Sequence, residues 1–136
     1  MSEYTDKTVL ITGASSGIGA AFARTFAGLG ANLILVARSE DRLNTLASEL
    51  AARYNIHAEV IATDLSRAGA AQTLFEATQQ RGLSVDVLIN NAGFGTHGPL
   101  ESQEAEREQQ EVMLIIAALV DLTQSFVTAM SARHSG

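Results

Sequence analysis

The run Thr8-Val9-Leu10-Ile11-Thr12 passes directly into Gly13-Ala14-Ser15-Ser16-Gly17-Ile18-Gly19, and that join constrains the fold more than any other feature of the chain. A β-branched and aliphatic run ending at a glycine suits a strand buried on both faces. From Ala20 to Leu29 the sequence is alanine-rich, with Phe22 and Phe26 four apart as one helix face requires, and Gly30 stops it as a C-cap glycine does. A strand that turns through glycines into a helix leaves the first-turn N–H groups without intrahelical partners, at the positive end of the helix dipole. An anion belongs there. Gly13 permits the tight turn, Gly17 lets backbone approach a pyrophosphate with no Cβ in the way, and Gly19 permits close helix–sheet packing. Ser15, Ser16 and Ile18 complete the same candidate cradle. The competing reading is a tight turn that uses glycine for conformation alone.

The pattern then repeats. Leu33-Ile34-Leu35-Val36 reads as a second strand, with Ser39 as N-cap and Leu43, Leu46 and Leu50 on one helical stripe. Ala58-Glu59-Val60-Ile61 precedes a helix over 68–80 with Leu74 and Phe75 facing inward. Val85 to Ile89 precedes a last helix from about Glu101 to about Arg133, with Pro99 placed for its start. Four strand–helix rounds with short connections imply an α/β fold, a doubly wound parallel sheet in the order 3-2-1-4. At 136 residues, 46% of them hydrophobic, one domain over 1–136 is expected.

Several classes of function are disfavoured. With no cysteine, disulfides, thiolate nucleophiles and Cys-ligated metals are excluded. His57, His97 and His134 have no ligand spacing, so no metal site is expected. A net charge of -6 disfavours nucleic acid as a partner. The N-terminus is polar and acidic, unlike a secretion signal, which suggests the cytoplasm. The run Val112 to Val120 falls short of the roughly 20 apolar residues of a membrane span and reads as a buried helix, with no membrane partner expected.

The glycine spacing is G-x-x-x-G-x-G, which differs from the G-x-G-x-x-G dinucleotide fingerprint. Here the sequence resembles the short-chain dehydrogenase/reductase family, on three motifs in order: Thr12 to Gly19, Asp64-Leu65 after the third strand, and Asn90-Asn91-Ala92-Gly93 after the fourth. The resemblance covers essentially the whole chain. It implies a Rossmann-like oxidoreductase that transfers hydride between a nicotinamide cofactor and a small carbonyl or alcohol substrate. By resemblance, Asp64 and Leu65 contact the adenine ring, while Asn90, Ala92 and Gly93 brace the sheet and line the cofactor cleft. Locally, Asn90 and Asn91 equally suit loop-bracing asparagines, and Asp64 a helix-start acid.

The second strand ends Val36-Ala37-Arg38-Ser39, where an NAD binder places a carboxylate for the ribose 2′-OH. Arg38 can instead give a 2′-phosphate a planar, charge-assisted fork, with Ser39 as a further donor, so the expected cofactor is NADP(H). The competing reading is a solvated arginine beside a capping serine. Glu40 and Asp41 suit the first turn of the next helix, and Arg42 either assists or sits on the exposed face.

The family's chemistry requires a Ser, a Tyr-x-x-x-Lys pair and an Asn. Lys7 is the only lysine, the tyrosines are Tyr4 and Tyr54, and the resemblance places Ile115 where the relay Asn stands. No catalytic residue is therefore assigned. We expect a domain truncated after the fourth strand and its following helix, inactive alone, or an inactive NADP(H) sensor or interaction domain. A methyltransferase-like domain is disfavoured, because it would want an acid where Ala37-Arg38 stands. A homo-oligomer, such as a dimer, is expected through the last helix (Val112, Ile116, Leu119, Phe126) or the strand edge Val85 to Ile89.

Overall fold

The computed structural model describes residues 1–136. Its sheet has four parallel strands in the order β3-β2-β1-β4: β1 (Thr8–Thr12), β2 (Asn32–Ala37), β3 (Ala58–Ala62) and β4 (Val87–Ile89). The central strand, β1, pairs Thr8 to Thr12 with Asn32 to Val36 on one side, and Val9 to Ile11 with Val87 to Ile89 on the other. The fold is a Rossmann-like α/β arrangement, as the strand–helix alternation implies.

Alternation along the strands divides the core into two layers. Val9, Ile11, Leu33 and Leu35 face α1 (Gly17–Gly28) and α2 (Glu40–Tyr54), meeting Ala23, Leu43 and Leu50. On the opposite face Leu10, Ile34 and Val36 meet Leu74 of α3 (Ala70–Gln80) and Leu122 and Phe126 of α5 (Leu119–Ala132). β1 and β2 are buried on both sides, and each such aliphatic side chain stabilises the fold by roughly 1.5–3 kcal/mol.

The face of α1 differs from expectation. Its sheet-facing stripe is Gly19, Ala20, Ala23 and Ala27, small residues that bring the helix close to the strands. Phe22 and Phe26 lie to the side, stacked at 6.4 Å, and Phe26 meets Tyr4 edge to face at 5.1 Å. Gly30, with φ +82°, ends this helix as expected, and Asn55 in the left-handed region caps α2.

Boundaries shift where side chains or special dihedrals replace ladder bonds. The third helix begins at Ala70, because Gly69 (φ +76°) turns the chain immediately before it. β4 begins at Val87, because the Thr8 N–H donates to the Asp86 carboxylate (2.8 Å) in place of a strand carbonyl; Val85 is buried and is not part of the edge. Pro99 opens only the short 3-10 turn Leu100–Ser102, where the Ser102 hydroxyl donates to the Pro99 carbonyl at 2.7 Å. Gln103 is extended, and helix resumes as α4 (Ala105–Val112), continues through a π turn (Met113–Ala118) and runs on as α5.

That last helix is not buried. Ala118, Leu122 and Phe126 turn inward, while Val112, Ile116, Leu119, Val120 and Val127 are exposed. The helix continues from Ala105 to Ala132, 28 residues with a mean hydropathy of 1.9 over its most apolar 18, long and apolar enough to cross a membrane by length and composition alone. The uninterrupted apolar run Val112 to Val120 is too short to span, but the apolar stretch resumes beyond Asp121, which lies in its middle. Phe126 packs at 5.1 Å against Phe75 and is removed from the candidate interface.

Candidate functional site

The chain leaves β1 toward β2 on one side and returns to β4 on the other, so the connections diverge at the carboxyl ends of β1 and β4. Open α/β sheets form their ligand crevice at such a switch point. A cleft of about 710 Å³ lies there. Of the residues expected at the site, Gly13, Ser15, Ser16, Ile18, Arg38, Asp64, Leu65, Ala92 and Gly93 line it.

The three glycines of the turn do different work. Gly13 has φ +66°, and a Cβ there would sit 2.9 Å from the Ala92 Cα. At Gly19 a Cβ would lie 2.1 Å from the Gly13 carbonyl oxygen, so this glycine closes the turn on itself as well as seating the helix. Gly17 has φ +56° with open space where its side chain would be, the one bare stretch of backbone at the start of α1. Gly17 and Gly19, also expected at the site, do not line the cleft. The α1 N-cap Ser16 makes no side-chain cap bond, so the first-turn N–H groups are not occupied by it.

Asn90 departs from its expected place. Successive strand residues point to opposite faces, so the two asparagines after β4 part company. Asn91 turns toward the glycine turn, its side-chain amide donating to the carbonyls of Thr12 (3.1 Å) and Gly13 (3.3 Å). Asn90 turns to the opposite face and donates to the Thr123 hydroxyl of α5 at 3.0 Å. Asn91 lines the cleft and Asn90 does not. The clamp is completed by Thr12, whose buried hydroxyl accepts the N–H groups of Asn91 (3.0 Å) and Ala92 (2.9 Å). Thr12 opens the first motif, yet the sequence gives its side chain no contact; a polar residue closing the apolar run Val9 to Ile11 is the available signal.

The cleft changes character along its length. At the β2 end stand Arg38, Ser39 and Arg42, with Thr63 and Ser66 near Asp64. The Asp64 carboxylate accepts the Ser66 hydroxyl at 2.6 Å and the Ser66 N–H at 3.1 Å, and Arg67 approaches at 3.5 Å. The Ser66 hydroxyl bond is the main cause holding this carboxyl below its ordinary range; partial burial opposes it, while the Ser66 N–H, Arg38 and Arg67 add to the lowering. Asp64 therefore carries a fixed negative charge at neutral pH. Leu65 beside it is buried and presents an apolar wall.

At the β4 end the walls are Gly93, Phe94 and Leu114. The Arg107 guanidinium covers the Phe94 ring at 3.8 Å, and Glu111 accepts both the Thr96 N–H and its hydroxyl at 3.0 Å, which ties this loop to α4. Ile115, inside the π turn, lies beside Gly93, its Cγ1 being 3.7 Å from where a Gly93 Cβ would sit. An isoleucine can offer no hydrogen bond there. Phe94, Leu114, Thr63 and Ser66 lie outside the three motifs: Phe94, Thr63 and Ser66 stand in loops whose path only the fold defines, and Leu114 is turned to the cleft from within the last helix.

Known proteins share this frame. Very-long-chain 3-oxoacyl-CoA reductase of Scheffersomyces stipitis is 38% identical over 121 residues, which is 88% of this chain and 35% of the reductase. Among solved structures, the bulky-bulky ketone specific alcohol dehydrogenase of Comamonas testosteroni superposes with a TM-score of 0.87 at 37% identity, over 96% of this chain and 52% of that one. A short-chain dehydrogenase of Sphingobium yanoikuyae in complex with NADPH superposes with a TM-score of 0.88 at 35% identity, over 96% and 51%. The chain thus spans between about a third and about a half of these three proteins. The family model described as short chain dehydrogenase matches residues 7–136. On that match the chain belongs to the short-chain dehydrogenase family, whose members bind a nicotinamide dinucleotide.

Proposed function

We propose that residues 1–136 form one NADP(H)-holding domain, the cofactor half of an oxidoreductase acting on a carbonyl or alcohol substrate. The observation that carries this reading is Arg38: it stands at the end of β2 in the cleft wall, unpaired, where an NAD-binding site would need a carboxylate. Support for NADP(H) comes also from the Sphingobium yanoikuyae relative, whose structure is in complex with NADPH.

The chain's own groups fit such a cofactor. Backbone N–H groups at the start of α1, with Gly17 bare, suit a pyrophosphate. Asp64 and Leu65 offer a polar edge and an apolar wall for the adenine. Ser15, Ser16 and Ile18 border the phosphate path, and Ala92 and Gly93 border the far end. When bound, the nicotinamide supplies hydride chemistry. These residues bind and orient; the far end of the cleft is walled by the apolar Phe94 and Leu114, and Tyr4, Tyr54 and Lys7 line no part of it. Uniform binding of this kind gives affinity without lowering a chemical barrier.

Titration calorimetry with NADPH and NADH on wild type and Arg38→Ala tests the cofactor reading, and equal wild-type affinities would refute it. NADPH absorbance followed with aldehydes and ketones tests the catalytic reading. The expected result is no turnover above background, and steady turnover abolished by Gly17→Trp would overturn it.

We further propose that a second copy covers the exposed face of the last helix, with Val112, Ile116 and Leu119 at its centre. Those three residues are half-exposed apolar side chains on one continuous helix, which in water favours a partner. Sedimentation should show self-association that Leu119→Lys abolishes, and a monomer at high concentration would count against it.

A further inference from the structure

β3 ends the sheet on one side, so half of its backbone groups have no strand to meet. The bonds at its two ends set which half. The His57 carbonyl accepts the Leu33 N–H at 2.9 Å, and the Thr63 N–H donates to the Ala37 carbonyl at 2.9 Å. Backbone groups alternate sides along a strand, so residues 57, 59, 61 and 63 face β2, while Ala58, Val60 and Ala62 face away from the sheet. A row of this kind is a template for another strand.

One side chain interrupts the row. Arg81, the C-cap of α3, donates from Nη1 to the Val60 carbonyl at 3.1 Å and to the Glu59 carboxylate at 3.2 Å. Both side chains are about half-exposed, so this ion pair adds little to stability. The other edge of the sheet is treated differently. There the Asp86 N–H donates to the Thr8 carbonyl at 2.9 Å, so Val85, Val87 and Ile89 face outward. Arg133 donates to the Val85 carbonyl, ahead of β4, and leaves the strand itself open. Only β3 has its middle carbonyl taken.

The segment Ala58-Glu59-Val60-Ile61-Ala62 suits pairing with itself. Antiparallel two-fold pairing centred on Val60 would set Ala58 opposite Ala62 and Glu59 opposite Ile61, with no like charges face to face. At the centre the two Val60 residues would exchange both N–H···O bonds, and that exchange needs the carbonyl that Arg81 holds.

We propose that Arg81 is a gate on the β3 edge: it occupies the Val60 carbonyl and so keeps two copies of this chain from joining their sheets through β3. A charged side chain laid on an edge is a common guard against such pairing. The surface includes none of Val112, Ile116 and Leu119, so it is separate from the last helix.

The experiment compares wild type, Arg81→Ala, Ala62→Pro and the double variant by sedimentation over a concentration series. Each is also made with Leu119→Lys, so that association through the last helix is read separately, and backbone amide exchange is followed in parallel. Arg81→Ala should melt within a few degrees of wild type, because it loses only an exposed pair. In the Leu119→Lys background it should gain a concentration-dependent species of about twice the monomer mass. The amides of Ala58, Val60 and Ala62 should exchange at least about tenfold more slowly in that species than in wild type. Ala62→Pro removes an outward N–H that no ladder bond uses, so it should leave wild type unchanged and return the double variant to wild-type mass. A folded Arg81→Ala at wild-type mass throughout would overturn the gate. So would association that leaves the three amides unprotected or survives Ala62→Pro, since another surface would then be responsible. An Arg81→Ala that unfolds would make Arg81 a structural residue and overturn it as well.

Discussion

Replacing Gly19 by alanine is the sharpest test of how the turn is built. In an ordinary helix the change is favourable, since alanine exceeds glycine in helix propensity by about 1 kcal/mol. Here the new Cβ would lie 2.1 Å from the Gly13 carbonyl oxygen, 2.7 Å from its carbon and 2.6 Å from the Asn91 amide nitrogen. Relief needs a displacement on the order of 1 Å, and close-packed interiors do not yield that freely. Gly13 cannot recoil, because Ala92 and Asn91 stand directly behind it at 2.9 Å from its own Cβ position, and the next residue is held by the Ala14 N–H donating to Val36 at 3.1 Å. Overpacking of this kind costs about 1–3 kcal/mol, and losing the two Asn91 amide bonds adds about 1 kcal/mol each. Setting the propensity gain against these leaves a net loss of about 2–4 kcal/mol.

Two other glycines calibrate that figure. Gly17→Ala meets nothing within 4 Å and incurs only the left-handed backbone strain of φ +56°, about 1 kcal/mol. Gly28→Ala, at the end of α1, touches Tyr54 at an ordinary 3.7 Å and should stabilise by about 0.5 kcal/mol. Urea unfolding followed by far-UV circular dichroism separates the three, tryptophan being absent from the chain. With a slope of about 1–3 kcal/mol/M, Gly19→Ala should lower the midpoint by about 1–2 M while Gly28→Ala raises it slightly. A Gly19→Ala midpoint at or above wild type would refute the close-approach argument.

Thr12→Val should destabilise by about 2–4 kcal/mol in the same assay, since it leaves the N–H groups of Asn91 and Ala92 without their acceptor, whereas Thr12→Ser should recover most of the loss. Asn91→Ala should lose about 1–3 kcal/mol and Asn90→Ala less than about 1, because only Asn91 bonds the turn; equal losses would mean that the two side chains are not divided as described. Asp64 titrates below its ordinary range, so its contribution to stability is complete above about pH 4 and is lost as pH falls through the lowered folded value. Asp64→Asn should therefore lower stability at neutral pH and flatten the acid limb below about pH 4, and an unchanged limb would exclude Ser66 as a significant partner.

The parts of this fold legible in the sequence are those where one residue type meets one local requirement. Runs such as Leu33 to Val36 are apolar because both faces of β2 are covered, so they declare a buried strand without help from the rest of the chain. Arg38 was legible because its place is counted from a strand end. What failed depended on pairing between distant segments. Two consecutive asparagines look alike in sequence, and only the register of β4 against β1 sends Asn91 to the turn and Asn90 to α5. Phe22 and Phe26 have the right spacing for a buried face, yet the gap between α1 and the sheet admits only alanines. The last helix reads as buried because it is apolar, but this chain offers it neighbours for a single stripe.

The same division separates the two ends of the cleft. The end bounded by Ser15, Ser16, Arg38 and Arg42 is assembled from the glycine turn and the carboxyl end of β2, and its strands are locked by β1–β2 pairing and two-sided burial. The far end depends on a loop held to α4 by Glu111 and Arg107, beside β4, which pairs on one side only and is half-buried. Local opening follows such differences in burial and pairing, so the loop should exchange its amide hydrogens far sooner than the glycine turn. A ligand that engages only the phosphate end would find its site already formed, and one that reaches Phe94 would also have to order the loop. On the proposed reading, 2′,5′-ADP should bind nearly as tightly as NADPH, since a nicotinamide at the far end would meet apolar, less constrained walls and gain little there. A much weaker 2′,5′-ADP would show that Phe94 and Leu114 contribute more affinity than their chemistry suggests.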